Sequence, residues 1–337
     1  MSNPIIDFGR QLGNGPTILF YHGVMPEEFC SPVRGGHHSI PEFQRQIRYL
    51  TRFKRVISLS EFCERSNSGE RLSSREVVLT FDDGYRNNLL YAAPILEQYG
   101  VVATLFVSAR HIETGRRLPN YFVRQAIWNT DQKQVKIEAC NQVFDVSSPE
   151  QRRISLSKLM RLMKTVDISS VDRIIREVRD WLSESRWDEL EAANQDEELL
   201  QWSEVCQLSR SGWNIGSHCH DHAILHSNQS RDQIRYQLQA SRKMITDRIE
   251  ECRFFAYPNG ERGFIAPAAI EEVKKAGYEL GLSAEAGDIH GRLNRYLLPR
   301  RLAPRKMHRF LQTLHNSMFY RNRYAKWANG IVQDVVD

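Results

Sequence analysis

Residues 76–85, EVVLTFDDGY, decide the fold, because a short run typical of a buried strand ends there on two adjacent aspartates and a glycine. The first six residues are rich in β-branched side chains and largely apolar without alternation, which is typical of a strand buried on both faces. Asp82 and Asp83 follow at once, and Gly84 is expected to relieve crowding at the turn. The stretch predicts a strand of a parallel sheet that presents two carboxylates at its carboxyl end.

Six further segments have the same character and predict six more strands. They are 17–24 (TILFYHGV), 55–59 (RVISL), 101–108 (VVATLFVS), 213–217 (WNIGS), 253–257 (RFFAY) and 279–284 (ELGLSA). Segments with helical periodicity lie between them, and the one at 230–250 opens with a capping-box pattern, Ser-Arg-Asp-Gln. This alternation of strands and helices predicts an α/β fold with parallel strands.

A stretch at about 111–202 interrupts the alternation between the fourth and fifth strands. It contains helical patterns at 151–164 and 169–182, few strand signals and an acidic last part at 177–204. We predict a mainly helical insertion that forms a cap or lid. A solvated helix face is the simpler explanation of the acidic part, and a functional acidic surface is the alternative.

A second stretch, 292–326, carries ten Lys or Arg and no Asp or Glu. Such a run can be a solvated tail, or it can contact phosphate, nucleic acid or an anionic membrane surface. Interleaved apolar residues such as Leu297 and Phe310 favour packing onto the domain. The chain is therefore divided into an N-terminal barrel part (1–110), the insertion (111–202), a C-terminal barrel part (203–312) and a basic tail or helix (313–337).

Composition excludes several classes of protein. The chain has 337 residues, 46 Lys+Arg against 41 Asp+Glu and 41% hydrophobic residues, which are ordinary globular values. No apolar run approaches the roughly 20 residues that span a bilayer, and the start lacks the pattern of a signal peptide. We therefore predict a cytoplasmic protein, with peripheral association with an anionic membrane surface left open. The small net charge of +5 disfavours nucleic-acid binding, and six cysteines without C-x-x-C spacing predict free thiols.

Three more polar clusters follow predicted strands. They are HCHDH at 218–222, YPNG at 257–260 and His22 near the end of the first strand. Each cluster alone reads as a turn or as surface histidines. Strands of a parallel sheet point the same way, so residues just past their ends gather on one rim, where such folds place their sites. Four clusters at corresponding strand ends therefore predict a functional site.

His218 and His222 are four residues apart, which lets both imidazoles face one ion across a helical turn or a tight loop. His220, between them, is expected to point away. One carboxylate from Asp82 or Asp83 completes three protein ligands with open positions, the catalytic arrangement. Successive side chains diverge at a strand end, so the other aspartate would stay free as general base, and the residues alone leave open which is which. Such an ion lowers the pKa of a bound water to about 7 and polarises a carbonyl.

These motifs resemble the polysaccharide deacetylases with NodB homology, carbohydrate esterase family 4. The resemblance rests on TFDDGY (80–85), GSHCHDH (216–222) and FAYPNG (255–260), with weaker support from FYHGV (20–24) and LPR (298–300). It covers about 17–110 and 200–312 and leaves the insertion outside. It implies a distorted (β/α)7 barrel and metal-dependent removal of an N-acetyl group from an amino sugar of a polysaccharide or glycan precursor.

The resemblance also implies roles for individual residues. Asp82 would be the general base, and Asp83, His218 and His222 would bind one divalent ion, commonly zinc, with Co²⁺, Ni²⁺ or Fe²⁺ as alternatives. The backbone N–H of Asn259, where the family usually has tyrosine, would help to hold the oxyanion.

Two departures from the family pattern are visible. Ala256 stands where many members have an arginine that orients the base, and Arg300 is the candidate to replace it, with a purely structural ion pair as the alternative. The C-terminal Leu-x-His that supplies the general acid in many members has no clear counterpart. His22 is the first candidate for that role, before His290 and His308, and each of them also has a structural interpretation.

The predicted substrate is an N-acetylated carbohydrate or glycolipid. One alternative is a deformylase or other deacylase of a lipid-linked sugar, which the basic C-terminal stretch would suit. Another is a non-catalytic carbohydrate-binding barrel. The sequence leaves the oligomeric state open.

Overall fold

The computed structural model describes residues 4–8, 15–29 and 36–315. The strands in chain order are β1 (Ile5–Asp7), β2 (Thr17–Tyr21), β3 (Val24–Met25), β4 (His38–Ser39), β5 (Arg55–Ile57), β6 (Glu76–Phe81), β7 (Thr104–Val107), β8 (Gln134–Ile137), β9 (Gln142–Asp145), β10 (Asn214–Ser217), β11 (Phe254–Ala256), β12 (Leu280–Leu282), β13 (Arg292–Asn294) and β14 (Arg301–Leu302).

The helices in chain order are α1 (Ile40–Phe53), α2 (Leu59–Asn67), α3 (Ala93–Gln98), α4 (Ala109–Thr114), α5 (Pro119–Asn129), α6 (Pro149–Met163), α7 (Ile168–Arg179), α8 (Glu184–Ala193), α9 (Trp202–Arg210), α10 (Arg231–Thr246), α11 (Pro267–Lys275) and α12 (Met307–Leu314). A π-helical turn, Asn88–Ala92, precedes α3. The predicted capping box is present at the start of α10, where the Ser230 side chain accepts a hydrogen bond from the backbone N–H of Gln233.

The main sheet has eight strands, and every pair in it is parallel. Its order is β12-β11-β10-β7-β6-β2-β14, and β5 pairs with the first half of β6. Seven of these strands correspond to the seven predicted ones, and β14 is an additional short strand. A parallel bridge from Leu282 in β12 to Leu298, just before β14, brings the two edges together. The sheet thus curls into the distorted α/β barrel that was predicted.

Alternating side chains of the strands face two different hydrophobic clusters. In β6, Val77, Leu79 and Phe81 pack in the cluster that includes the outer helices. Val78 belongs to the interior cluster, together with Phe106 of β7 and residues of β2, β11 and β12. Because side chains alternate along a strand, Thr80 and Asp82 continue the interior row of Val78. Asp82 therefore lies at the carboxyl end of the barrel interior.

The segment between β7 and α9 forms a unit with its own core. It contains α4 to α8 and a hairpin made by β8 and β9, which the sequence did not predict. A separate cluster of buried side chains, drawn entirely from this segment between Tyr121 and Leu190, holds its helices and hairpin together. The domain boundaries given above remain a prediction.

The insertion is hydrogen-bonded to both loops that carry the polar motifs. After α8, the backbone N–H of Arg86 donates to the carbonyl of Glu198 (2.7 Å), and that of Leu200 donates to Gly84 (2.9 Å). At the corner between α6 and α7, Asn228 donates to the carbonyl of Thr165 (2.6 Å). Because Gly84 follows the two aspartates and Asn228 follows the histidines, the insertion lies beside the predicted site.

Three further expectations concern the termini, thiols and membrane. Helix α12 ends within the described residues, and the rest of the predicted basic tail, 316–337, lies outside them. The five described cysteines are unpaired, while Cys30 lies outside the described part. None of the described helices combines the length and apolarity needed to cross a bilayer.

Candidate metal centre and catalytic site

The backbone after β6 sends the two adjacent aspartates in different directions. Asp83 has a φ of 77°, in the left-handed region that aspartate tolerates better than most residues. Gly84 follows with a φ of 85°, and a Cβ there would come within 3.0 Å of the Ile112 side chain. As a result the Asp82 carboxylate faces Arg300, and the Asp83 carboxylate faces His218 and His222.

Asp83, His218 and His222 form a compact set of metal donors. One donor atom from each lies within 4.8 Å of the others. The Oδ1 atom of Asp83 is 3.1 Å from Nε2 of His222 and 3.5 Å from Nε2 of His218. Nδ1 of His218 lies 2.8 Å from the carbonyl oxygen of Ala256, so Nδ1 carries the proton and Nε2 offers its lone pair to the centre. This donor set fits one divalent cation with positions left for substrate or water.

The two histidines reach this arrangement from a loop and not from a helix. Cys219 and His222 both have left-handed backbone conformations, with φ of 64° and 55°. Of the five described non-glycine residues with positive φ, only Asn141 lies outside the candidate site. Backbone strain of this kind persists where the surroundings enforce it and is typical of functional sites. Burial lowers the pKa of His218 to about 4, which keeps the imidazole neutral and able to ligate.

Arg300 holds the Asp82 carboxylate in a two-pronged ion pair. Its Nη1 and Nη2 atoms lie 2.7 and 2.8 Å from Oδ1 and Oδ2 of Asp82. Arg300 is fully buried, and its Nε donates to the carbonyl of Ser283 (2.9 Å) while its guanidinium lies over the ring of Phe20. Burial acts to raise the pKa of Asp82, but the Arg300 charge outweighs it and the pKa is lowered. Asp82 is therefore ionised and oriented.

His22 and Asn259 bring hydrogen-bonding groups without protein partners to the same place. Nδ1 of His22 and Nδ2 of Asn259 are buried and make no hydrogen bond to any described residue. The backbone N–H of Asn259, at a residue with φ of 62°, likewise donates to no acceptor in the described part of the chain. His22 lines the same cavity as Asp82 and Asp83.

The other histidines considered from the sequence lie elsewhere. The ring of His220 packs against Tyr236, with ring centroids 5.3 Å apart, and does not join the metal donors. His290 and His308 are exposed and do not line the cavity that contains the site. Of the three candidates for the general acid, only His22 lines it.

A buried charged group beside the site was not predicted from the sequence. His37 lines the cavity, and its Nε2 lies 3.7 Å from Oε1 of Glu197. Arg124 donates to the same oxygen at 2.7 Å, and the ring of His37 packs edge-on against Tyr85. Arg124 and Glu197 belong to the insertion, outside every recognised motif, and the adjacent histidines at 37 and 38 were the only available signal.

The metal donors, Asp82, His22, His37 and Asn259 open into one cavity of about 730 Å³. Its floor is the carboxyl end of the barrel, with Asp82, Asp83, His218, His222 and Asn259. It continues outward between the barrel and the insertion, where residues of α4, α6 and α7 line it. The metal donors are therefore accessible to a substrate larger than a small molecule.

Solved structures that share this fold include a deacetylase and a de-N-acetylase. The Streptococcus pyogenes deacetylase PplD, solved in complex with acetate, has a TM-score of 0.57 and 16% identity, over 89% of this chain and 98% of that one. IcaB from Ammonifex degensii has a TM-score of 0.54 and 17% identity, over 90% and 96%. A de-N-acetylase from Aggregatibacter actinomycetemcomitans has a TM-score of 0.53 and 14% identity, over 89% and 99%. At these identities the likeness shows the fold.

The sequence comparison identifies the family directly. No curated protein sequence matches this chain. The family model described as polysaccharide deacetylase matches residues 69–148 and 162–281, which is more than half of the chain and includes both the aspartate and the histidine motifs. The chain therefore belongs to the polysaccharide deacetylase family.

Proposed function

We propose that this protein is a metal-dependent amidase that removes N-acetyl groups from amino sugars of a glycan or glycan precursor. The observation that carries the proposal is the position of an ionised, arginine-bound carboxylate, Asp82, beside the three-donor set of Asp83, His218 and His222. Family membership supports the same reaction. These residues would supply what amide hydrolysis requires: a cation site, a base, an oxyanion donor and an acid.

Asp83, His218 and His222 would hold the cation. Two imidazoles and one carboxylate are donors that Zn²⁺ accepts in catalytic sites, and Co²⁺, Ni²⁺ and Fe²⁺ accept the same set. When bound, the ion supplies positive charge that polarises the acyl carbonyl and makes water more acidic. The lone pair of His218 Nε2 is ready for this role because Nδ1 already donates to Ala256.

Asp82 takes the proton from the attacking water. Its pKa is lowered, so it is ionised at neutral pH and can accept a proton there. Each carboxylate oxygen has two acceptor sites, so the two bonds from Arg300 leave one on each oxygen for the water. Arg300 also fixes the direction in which that acceptor points.

Asn259 acts on the acyl oxygen, and His22 acts on the leaving nitrogen. As water adds to the carbonyl carbon, negative charge grows on the oxygen, and the unbonded N–H of Asn259 can donate to it. The C–N bond then breaks, and His22, the cavity-lining candidate, gives the proton that converts the departing nitrogen into a free amine. The products are acetate and an amino sugar.

The test is acetate release by the purified full chain after metal removal and reconstitution. The protein is stripped with a chelator, and Zn²⁺, Co²⁺, Ni²⁺ or Fe²⁺ is added back before it meets an oligomer of N-acetylglucosamine. We expect no turnover without metal and recovery at about one ion per chain. In parallel, formate release from the N-formyl oligomer measures the acyl preference.

The controls separate catalysis from binding. His222→Ala should lose both the ion and turnover, while Asp188→Asn, an exposed change on α8, should lose neither. Undiminished hydrolysis by the metal-free protein would contradict the proposal. Tight glycan binding with no turnover under any metal would instead support a carbohydrate-binding barrel.

A further inference from the structure

The outer part of the cavity has a composition that the hydrolysis of an acetyl group does not explain. Its wall is formed largely by the insertion. The apolar residues that line it are Phe122, Met160, Met163, Val166, Ile168, Val171 and Ile175. The cationic residues that line it are Arg110, Arg116, Arg117, Arg124, Lys164, Arg176 and Arg179. The wall thus combines aliphatic surface with an excess of positive charge.

One face of α7 makes up much of this wall. The cavity-lining residues of this helix are Ile168, Val171, Asp172, Ile175, Arg176 and Arg179. Their spacing of three and four residues places them on a single stripe. The first two turns are mainly aliphatic and the last turn is cationic, so the stripe changes from apolar to charged along its length.

Three of the cations have no ionic partner. In the part of the chain that the structure describes, no carboxylate lies within ion-pairing distance of Arg116, Lys164 or Arg176. By contrast, Arg110 binds Asp221, Arg124 binds Glu197, and Arg117 and Arg179 contact acceptors of the insertion.

Two carboxylates without an ion pair among the described residues moderate this excess of charge. Asp172 lies on the same face of α7 as Arg176, and Glu261 also lines the cavity. A third, Asp221, is already paired with Arg110. Three unpaired cations against two unpaired carboxylates leave the outer cavity net positive, so the region is complementary to an anion.

This region is continuous with the metal centre. The corner between α6 and α7 is fixed to the loop that follows His222, because Ile168 donates to Gln229 (3.3 Å) and the carbonyl of Val166 lies 3.0 Å from Nε2 of His226. The same cavity is lined by His222 and by α7. A substrate whose amide lies at the centre can therefore extend along this wall.

We propose that the outer cavity binds an anionic lipid carrier, so that the substrate is an N-acetylated sugar joined through phosphate to a hydrocarbon chain. The inference rests on the proposed deacetylation. The phosphate would lie beside Arg116 and Arg176, since guanidinium groups bind phosphate in charge-assisted hydrogen bonds. The hydrocarbon chain would lie on the methionine, valine and isoleucine side chains.

A free neutral polysaccharide fits this wall less well. Its hydroxyl groups need hydrogen-bond partners, and aliphatic side chains supply none, so those hydroxyls would be desolvated without compensation. It also carries no charge to match the three cations. The lipid phosphate satisfies both surfaces, and this is why we favour it over a polymer.

The test compares substrates that share one reacting sugar. The metal-loaded full chain is given N-acetylglucosamine as its geranyl phosphate derivative, as its 1-phosphate and as its methyl glycoside. We expect KM to be lowest for the geranyl phosphate derivative and to rise about tenfold when either the lipid or the phosphate is missing. Equal kcat/KM for the geranyl phosphate derivative and the methyl glycoside would overturn the proposal.

Two variants divide the contributions of charge and apolar surface. The double variant Arg116→Gln/Arg176→Gln should raise KM about tenfold for both phosphate-bearing substrates and leave the methyl glycoside unchanged. Val171→Asn, which adds polarity without charge, should raise KM only for the geranyl phosphate derivative. Arg173→Gln is the matched control, because Arg173 lies on α7 outside the cavity-lining stripe and is expected to change none of these values.

A binding measurement separates this inference from the proposed reaction. Calorimetry with geranyl phosphate reports the outer cavity without any turnover. Binding that is weakened about tenfold by the double variant supports the lipid-phosphate site, even where no substrate is hydrolysed and the proposed function fails. If geranyl phosphate does not bind, or binds both proteins equally, the lipid-phosphate site is wrong whatever the acetate assay reports.

Discussion

The barrel rim and the insertion contribute opposite kinds of surface to one cavity. At the rim, Asp82 is buried against Arg300, and Asp83 is buried against two imidazoles. On the insertion, Arg176 of α7 is exposed and has no ionic partner among the described residues, and it lies beside aliphatic side chains. Groups held rigidly by partners suit bond making and breaking, while unpartnered cations suit the binding of a ligand that brings the missing charge. Reactivity and substrate choice are thus carried by separate parts of the chain.

Among changes to the barrel rim, Asp82→Asn is expected to have the largest effect on activity. The variant keeps the shape of the side chain but cannot accept a proton, so kcat for acetate release should fall about 10³-fold. Metal content should stay near one ion per chain because Asp83 and the histidines are untouched. A thermal melt checks that the buried Arg300 has not unfolded the barrel, and Asp188→Asn is the control. Retention of more than about a tenth of the activity would remove Asp82 from the role of base.

His22→Gln tests the general acid through the leaving group. We expect kcat to fall about 10²-fold with an N-acetyl sugar, whose amine must be protonated as it leaves. With 4-nitrophenyl acetate the leaving phenolate needs no proton, so the loss should be only a few-fold. His308→Gln, at an exposed position of α12, should change neither rate. Equal losses on both substrates would show that His22 positions the substrate and is not the acid.

Arg300→Lys is expected to have a smaller effect with a distinct pH signature. Lysine keeps the charge but loses the planar fork, so one of the two bonds to Asp82 is lost and kcat/KM should fall about tenfold. With less stabilisation of its ionised form, Asp82 has a higher pKa, and the acid limb of the pH–rate profile moves to higher pH. Arg301→Lys, the next residue, pairs with Asp288 instead and should not move that limb. An unmoved limb in Arg300→Lys would contradict the orienting role.

Much of the barrel could be predicted because buried parallel strands are read from continuous apolar runs. The elements that were missed lack that signal. Strand β14 has two residues, and the hairpin of β8 and β9 lies in a segment that was interpreted as helical. Leu59 was assigned to a strand but begins α2, because the side chain of Ser58 caps the helix by accepting from Glu61. At Leu59 a local cap thus outweighs the apolar pattern.

The division of labour between the aspartates could not be derived from the residues alone. It depends on the left-handed backbone of Asp83, a conformation that sequence does not reveal, and family resemblance supplied the assignment. The outer cavity was missed for a different reason. Ile168, Val171 and Ile175 have the spacing of a core-facing helix, and only the packing of α7 above the barrel shows that this face lines a cavity. Periodicity identifies an apolar face but not what covers it.

The contact between the insertion and the barrel gives the prediction with the smallest effect on catalysis. Glu197 of the insertion binds Arg124 at 2.7 Å and lies 3.7 Å from His37 of the barrel part. Burial acts to raise the pKa of Glu197, but His37 and the Arg124 charge outweigh it, so its folded-state pKa lies below the ordinary 4.5. Its stabilisation is therefore complete above about pH 4.5 and is lost as pH falls through the lowered folded value.

Glu197→Gln should accordingly lower the free energy of unfolding by about 3 kcal/mol at pH 7, because it removes the carboxylate that faces the buried Arg124. Urea unfolding across a pH series should show this gap closing below pH 4.5, where the wild-type carboxyl takes up a proton. The neighbouring Glu198→Gln removes a half-exposed pair with Arg86 and a longer contact (3.9 Å) with Arg117, and it should cost less than about 1 kcal/mol. If the difference in unfolding free energy between the wild type and Glu197→Gln is the same at every pH, then shape, and not charge, joins the insertion to the barrel. A second unfolding transition in Glu197→Gln alone would mean that this carboxylate makes the two regions unfold as one.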